Sequence, residues 1–282
     1  MTTSKSPIAV TGSTGALGGK VASLLSDDGY SLRLLARSPE RAPALPNSAV
    51  VECNFGDLDQ ATEALRGVEV LFMVSAAEHE DRLAQHLTFV DAAQAAGIKH
   101  IIYTSFQGAA PGALFTLARD HYATEQHIKA SGMSWTMLRD SFYLDFLTAV
   151  VGEDGVIRGP AGDGRVAAVS RDDVARVAAE VLRNPKAHAV TTYDLTGPTA
   201  VSFDETAKII SKATGQRVTF HNETLAEAYE SRKPWGAPDW QNDAWVSTYT
   251  AIAAGEVSAV SDAVEKITGQ KPMSLEQFVA AR

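Results

Sequence analysis

The chain has 282 residues, 45% of them hydrophobic and 21% charged, and a formal net charge of −9. That balance is globular and supplies a sizeable core, and the length suits one α/β domain carrying a smaller lobe. A diffuse acidic surface with no basic run excludes a phosphate-backbone partner, so no nucleic acid is expected.

The single cysteine, Cys53, sits in the apolar run Ala49-Val50-Val51-Glu52-Cys53 and is expected as a buried, reduced thiol, which points to a reducing compartment. Met1–Ser6 carries no apolar signal region, and no apolar run is long enough to span a bilayer. These features predict a cytoplasmic protein without a membrane partner.

In chain order, Pro7–Thr11 reads as a buried strand, Ala16–Ser26 as a helix, Ser31–Ala36 as a second strand and Ala49–Cys53 as a third. A helix follows near Leu58–Leu65, then a strand at Glu69–Val74, a long helix near Asp81–Ala96 and a fifth strand at Ile98–Thr104. Leu114–Ala130 is helical and Ser134–Leu138 is a sixth strand. The strands are continuously apolar rather than alternating, as a parallel sheet covered on both faces requires. The fold class is therefore α/β, a Rossmann-type doubly wound parallel sheet with a smaller, mainly helical C-terminal lobe.

The pattern changes near residue 150, where Gly152, Gly155, Gly159, Gly162 and Gly164 crowd together. A helix resumes at Asp172–Leu182, Thr191–Leu195 is one more strand, and helices dominate from Ser202, with a short strand near Arg217–Phe220. The expected division is a dinucleotide-binding domain at 1–150, with return elements from about 170–197, and a substrate lobe at 151–169 and 198–282. Trp235, Trp240 and Trp245 lie in that lobe and are expected to help close a substrate pocket.

Thr11-Gly12-Ser13-Thr14-Gly15-Ala16-Leu17-Gly18 places glycines at G-x-x-G-x-x-G between a strand and a helix. Gly12 permits the turn out of the strand, Gly15 lets backbone approach a pyrophosphate, and Gly18 allows close helix–sheet packing. The end of the second strand selects the cofactor. An Asp or Glu there would accept from an NAD ribose and repel a 2′-phosphate. This chain has Arg37-Ser38 and no acid at that strand end, which favours NADPH (NADP) over NADH. Asp57-Leu58 could meet the adenine, although Asp57 is an equally good helix N-cap, and Ser75-Ala76-Ala77 could pass the ribose.

Beyond this loop, Gly67-Val68-Glu69-Val70-Leu71, Ala92–Ile101 and Tyr103-Thr104-Ser105 resemble the NmrA-like, atypical short-chain dehydrogenase/reductases. His121–Glu125, Ser131–Arg139, Ala251–Glu256 and Ile267–Pro272 narrow the resemblance to the type 2 NADPH:quinone oxidoreductase subgroup. The resemblance spans nearly the whole chain. It implies that Arg139, Asp140, Ser141, Phe142 and Tyr143 pass the nicotinamide, with a quinone pocket between that segment and the C-terminal lobe. It also admits a homodimer. The subgroup often carries Asn-Gly-Trp-Tyr-like residues where this chain carries Asp140-Ser141-Phe142-Tyr143, a departure at the acceptor end.

Carbonyl reduction in the wider superfamily uses a Tyr and a Lys four residues on. The helix after Ser105 has Tyr122, but Gln126 fills the Lys place, and the only Tyr-x-x-x-Lys, Tyr229 to Lys233, falls in the C-terminal lobe. Without the relay, Ser105 is expected to be a structural or cofactor-contacting hydroxyl. A quinone needs no such relay, since hydride addition gives a stabilised anion that water can protonate, and positioning of the cofactor could suffice. Phe106, Phe142 and Tyr143 are candidates for acceptor contact or plain core, and Tyr143 and His121 are the candidate catalytic groups. His121 and Glu125 share a helix face and read most simply as a stabilising pair. His79 and His86 lack a third ligand, so no metal is expected.

The sequence thus predicts an NADPH-dependent reductase of a quinone or similar conjugated acceptor, NAD(P)H:quinone oxidoreductase-like. The alternative is a non-catalytic NADP(H)-binding redox sensor of the NmrA type. An epimerase of the extended superfamily would need the missing Tyr/Lys pair.

Overall fold

A computed structural model describes residues 6–282, and the expectation for the N-terminal signal region falls almost wholly outside them. The elements in chain order are β1 (Ile8–Val10), α1 (Ala16–Asp27), β2 (Leu32–Ala36), β3 (Ser48–Glu52), α2 (Leu58–Leu65), β4 (Val70–Met73), α3 (Arg82–Ala96), β5 (His100–Phe106), α4 (Thr116–Ala130) and β6 (Ser134–Asp140). Then come α5 (Leu144–Ala149), β7 (Val156–Gly159), β8 (Arg165–Val166), α6 (Arg171–Arg183), β9 (Thr191–Leu195), β10 (Val201–Ser202), α7 (Phe203–Thr214), β11 (Thr219–Asn222), α8 (Leu225–Arg232), α9 (Asp239–Ala253), α10 (Ala263–Thr268) and α11 (Leu275–Ala280).

Seven strands form one sheet in the order β3-β2-β1-β4-β5-β6-β9. The order reverses at β1, whose Val10 pairs in parallel with Leu34 on one side and Phe72 on the other. A reversal of this kind is the topological switch point at which open α/β sheets bind ligands. The sheet is Rossmann-type α/β, as the strand–helix alternation predicts.

The chain clusters into two compact units. The first holds residues 6–105, 122–138 and 174–193, and the second 106–121, 139–173 and 194–282. The division passes through β5 after Ser105, through β6 after Leu138 and through β9 after Tyr193.

In the first unit the central strands are apolar throughout because both faces are covered. Ala9, Leu71, Ile101, Tyr103 and Met137 join Phe89, Val90 and Leu65 in one buried cluster. Helix α1 buries Leu17, Val21 and Leu25 together with Gly18, Ala22 and Ser26, two rows spaced four apart. Two strands differ from the apolar rule. β3 and β9 close the sheet edges, and in β9 only Leu195 is fully buried. An edge strand has one neighbour and needs no continuous apolar run.

The second unit has its own core, in which Phe106, Phe115, Leu147, Ile157, Phe203, Tyr249 and Ile252 pack together. Its small sheets pair β11 with β7 and β10 with β8. Helices α7, α8 and α11 each open with a reciprocal capping box, Ser202/Glu205, Thr224/Glu227 and Ser274/Gln277. The glycine-crowded stretch after residue 150 holds β7 and β8, and α5 precedes it. Elements of two to six residues carry too few positions for a periodic signal.

Candidate active site

The loop after β1 makes a tight turn with α1 packed closely against it. The Thr11 hydroxyl accepts the Val74 N–H at 2.8 Å, joining β1 to the end of β4. Gly12 has φ +61°, a left-handed conformation that side chains resist. The Gly15 N–H donates to the Gly12 carbonyl at 2.9 Å and closes the turn. A Cβ on Gly18 would lie 2.4 Å from the Gly12 carbonyl oxygen and 2.6 Å from that of Thr11, so α1 sits against the turn at a distance only glycine allows.

The start of α1 differs from the capped helices of the second unit. Gly15, its N-cap, supplies no side-chain acceptor, and the first turn holds no acid. The opening N–H groups and the positive end of the helix dipole therefore meet no side-chain cap or acid of the helix itself, an arrangement that can receive an anion.

Beside the loop is a cavity of about 280 Å³ lined by Gly12, Thr14, Leu35, Ala36, Arg37, residues 53–55, residues 74–79 and Gln85. Arg37 is exposed and is the first residue after β2. The one acid in the lining, Glu78, comes from the loop after β4 and not from the β2 end.

The β4 loop is held in shape by side chains behind it. The Thr104 hydroxyl accepts the Ser75 N–H at 2.8 Å, His86 Nε2 accepts the Ala76 N–H at 2.9 Å, and Arg82 Nε donates to the Ala76 carbonyl at 3.0 Å. Burial, helped by the neighbouring Arg82 charge, lowers the His86 pKa to about 3. The ring is therefore neutral, and because Nε2 accepts, Nδ1 carries the proton toward Thr124 Oγ1 at 3.0 Å. Phe55 is fixed by stacking on Phe89 at 4.0 Å. The Cys53 thiol is buried, and burial pushes its pKa up to about 12, so it is a wall and not a nucleophile.

Of the residues singled out in the sequence, the cavity brings together Gly12, Thr14, Arg37, Ser75 and Ala76. Gly15, Ala16, Leu17 and Gly18 form the cap and first turn of α1. Ser13 is buried, its hydroxyl donating to the Leu35 carbonyl at 3.4 Å, and Ser38 begins a short turn at Pro39–Arg41. Asp57 caps α2 by accepting the Gln60 N–H at 3.0 Å, and neither it nor Leu58 lines the cavity. Asn54, Phe55, His79 and Gln85 do, although no motif marks them.

The helix expected to carry a Tyr/Lys relay carries other chemistry. Ser105 Oγ donates to Glu125 Oε1 at 2.6 Å, and Lys129 Nζ lies 3.5 Å from the other oxygen of that fully buried carboxylate. Tyr122 is partly buried and Gln126 exposed. In the second unit Tyr229 donates to Asp243 at 2.8 Å, which raises its pKa, the opposite of what a proton-exchanging tyrosine needs. Lys233 pairs with Glu230.

Strand β6 ends on Asp140, which is 3% exposed. Its Oδ2 accepts the Tyr143 O–H at 2.8 Å, while Oδ1 and the hydroxyl of buried Ser141 have no hydrogen-bond partner. Burial raises the Asp140 pKa to about 8, against the pull of the Tyr143 hydrogen bond. Burial first, then Asp140, raises the Tyr143 phenol well above its usual value. The Arg171 guanidinium lies 4.4 Å over the Tyr143 ring and pairs with Asp145 at 2.6 Å. Phe142 packs against Phe106 at 4.9 Å, Phe115 at 5.4 Å and Phe146 at 5.2 Å, and His121 stacks on Phe106 at 6.0 Å. Trp235 and Trp245 meet edge to face at 5.3 Å. Among the described residues no group of three or more His, Cys, Asp or Glu is placed to hold a metal, and no helix is long and apolar enough to cross a membrane.

Asp140 gives a stability prediction whose sign is fixed. In the unfolded chain its carboxyl ionises near 3.8, whereas the folded chain keeps the proton to about 8. Between those values the folded state binds more protons, so this group's contribution falls as pH rises from about 4 to 8 and then levels. Asp140→Asn removes that dependence. The melting temperature of the variant, relative to the unsubstituted chain, should rise by several degrees across that window. A constant difference from pH 4 to 9 would show that Asp140 is ionised in the fold.

The NmrA-like family profile matches residues 4–240. The chain belongs to the NmrA-like family. It is 33% identical over 280 residues to quinone oxidoreductase 2 of Escherichia coli, covering 97% of each chain. The crystal structure of that NADPH-dependent enzyme with NADPH superposes with a TM-score of 0.88, at 32% identity over 97% of this chain and 99% of the other. An NAD(P)H azoreductase of Xenophilus azovorans is 30% identical over 97% of each chain. The triphenylmethane reductase of Citrobacter sp., solved with NADP(H), superposes with a TM-score of 0.86 at 31% identity, over 97% of this chain and 99% of the other. The NmrA-like resemblance, the fold and the NADP(H) class of cofactor inferred from the sequence agree with these findings.

Proposed function

We propose that this NmrA-like chain is an NADPH-dependent oxidoreductase that reduces a quinone or similar conjugated acceptor by hydride transfer. The observation that carries the reading is the cavity beside the uncapped start of α1, with Arg37 and no acid at the β2 end. The residues present fit NADPH. Gly18 leaves no room for a Cβ, the helix start suits a pyrophosphate, and the Arg37 fork suits a 2′-phosphate.

Bound NADPH supplies the hydride. The chain's share is to hold it and to exclude water. Arg37 and Thr14 contact the adenosine half, and the Ser75-Ala76 loop, locked by His86, Arg82 and Thr104, keeps the cavity open before binding. Ser105 is tied to Glu125 and serves the loop end of β5. Asp140, Ser141 and Phe142 are assigned to the nicotinamide, and Phe106, Phe142 and Tyr143 to a planar apolar acceptor. Residues 151–169 and 198–282 supply the acceptor-binding lobe.

An acceptor panel tests the reading. With NADPH, a quinone, an azo dye or a triphenylmethane dye should be reduced far faster than a simple ketone, because α4 carries Gln126 and not Lys four residues after Tyr122. Equal rates on a ketone would overturn it. Tyr122→Phe should leave quinone kcat/KM within about 2-fold, since Gln126 stands where a relay would need a lysine. A variant that binds NADPH normally and turns over nothing would restore Tyr122 to the mechanism.

A further inference from the structure

Reduction of a quinone by hydride leaves an oxyanion, and the relay that would protonate it is missing from α4. A different acid stands at the end of β6. The Asp140 carboxyl is buried, takes a hydrogen bond from Tyr143 on Oδ2, and leaves Oδ1 without a partner; the hydroxyl of the following residue, buried Ser141, has none either. Buried polar atoms are ordinarily paired, so the second oxygen of an acid that is hydrogen-bonded on its first can complete its bonding on an external group. Next in sequence, half-buried Phe142 packs on the buried rings of Phe106 and Phe115, an aromatic neighbourhood that suits a flat conjugated ring.

We propose that Asp140, set by the Tyr143 hydroxyl, is the general acid that protonates the oxyanion of the reduced acceptor. This deepens the reductase reading and rests on it. The O–H bond of the Asp140 carboxyl breaks, its proton forms the O–H bond of the hydroquinone, and the electron pair stays on Asp140 as a carboxylate. The Tyr143 O–H bond to Oδ2 stabilises that carboxylate until solvent returns a proton. NADPH supplies the hydride and leaves as NADP⁺, so atoms and charge balance.

The charges around the pair do not preset the carboxyl as an anion. Arg171 lies over the Tyr143 ring, and its charge is countered by Asp145, which also binds Arg282 at 2.7 Å. Burial dominates, so the acid keeps its proton to about pH 8. That is near working pH, where a general acid is most effective.

The first test needs no turnover. Infrared absorption of the protein alone should show a protonated-carboxyl stretch that titrates near pH 8, is absent in Asp140→Asn, and moves to higher pH in Tyr143→Phe. The second test compares two acceptors, a quinone, which needs a proton, and a cationic triphenylmethane dye, which takes hydride at carbon and needs none. In the unsubstituted chain quinone kcat/KM should fall about ten-fold per pH unit above 8. In Asp140→Asn the ratio of quinone to dye kcat/KM should drop at least about 10-fold at pH 7 and lose that pH dependence. If the infrared band is absent, or if the ratio and the pH profile are unchanged in the variant, Asp140 is not the acid. Failure of the reductase reading looks different, since the unsubstituted chain would then reduce neither acceptor while the infrared titration would still report the carboxyl.

Discussion

Replacing Gly18 with alanine should weaken NADPH binding by roughly 10- to 100-fold and lower the melting temperature. The added Cβ would meet the carbonyl oxygens of Gly12 and Thr11 at 2.4 and 2.6 Å, and backbone cannot swing aside as a side chain tip can. Overpacking of this kind costs about 1–3 kcal/mol, and every 1.4 kcal/mol taken from binding is about a factor of ten. The loop that would have to move is the one proposed to face the pyrophosphate, so affinity should suffer along with stability. Gly19→Ala is the control. Its Cβ would approach only the Ser13 carbonyl, at 3.2 Å, and alanine favours a helix over glycine. Isothermal titration with NADPH, beside thermal unfolding, separates the two effects. Equal, small losses in both variants would mean that α1 does not need its close approach to the turn.

Arg37→Ala should reduce NADPH affinity by about 10- to 100-fold and leave NADH affinity nearly unchanged. A charge-assisted bond to a phosphate is worth about 1.5–3 kcal/mol, and NADH has no 2′-phosphate to lose it. Arg37 is exposed, so salt screens the contact. The difference between the two cofactors should therefore shrink as ionic strength rises. Equal loss for NADH and NADPH would remove Arg37 from the 2′-phosphate site and return it to the surface.

The parts of this site that were legible in the sequence are those whose chemistry is local. Gly12 and Gly18 are fixed by a turn and a close approach within eight residues, and Arg37 by its place one residue past a strand. The rest depends on packing between distant segments. His86 and Arg82 shape the Ser75-Ala76 loop from α3, and Asn54, Phe55 and Gln85 reach the cavity because α2 and α3 pack together. Counting from the strand end pointed to Asp57 and Leu58, but Asp57 is occupied in capping α2, and the chain meets the cavity three residues sooner. Asp140 was visible as a departure from the family pattern. Its burial and its unpartnered oxygen were not, because an acid at a strand end is ordinarily solvated and only the surrounding fold removes the water. The short elements α5, β7 and β8 escaped for a simpler reason, being too brief to show a period.

The buried polar groups divide the same way. His86 and Glu125 are fully engaged and hold loops in place, while Asp140 and Ser141 keep unused capacity. Satisfied networks rigidify a site, and unsatisfied ones invite a ligand.

The most direct test of the central claim is the loss of NADPH absorbance as a quinone is titrated, with NADH and an acceptor-free mixture alongside. Saturable oxidation that prefers NADPH and needs the quinone is the result this account predicts. Tight NADP(H) binding with no turnover on any quinone, azo or triphenylmethane acceptor would contradict it, and would make the chain a sensor of the cofactor and not its consumer.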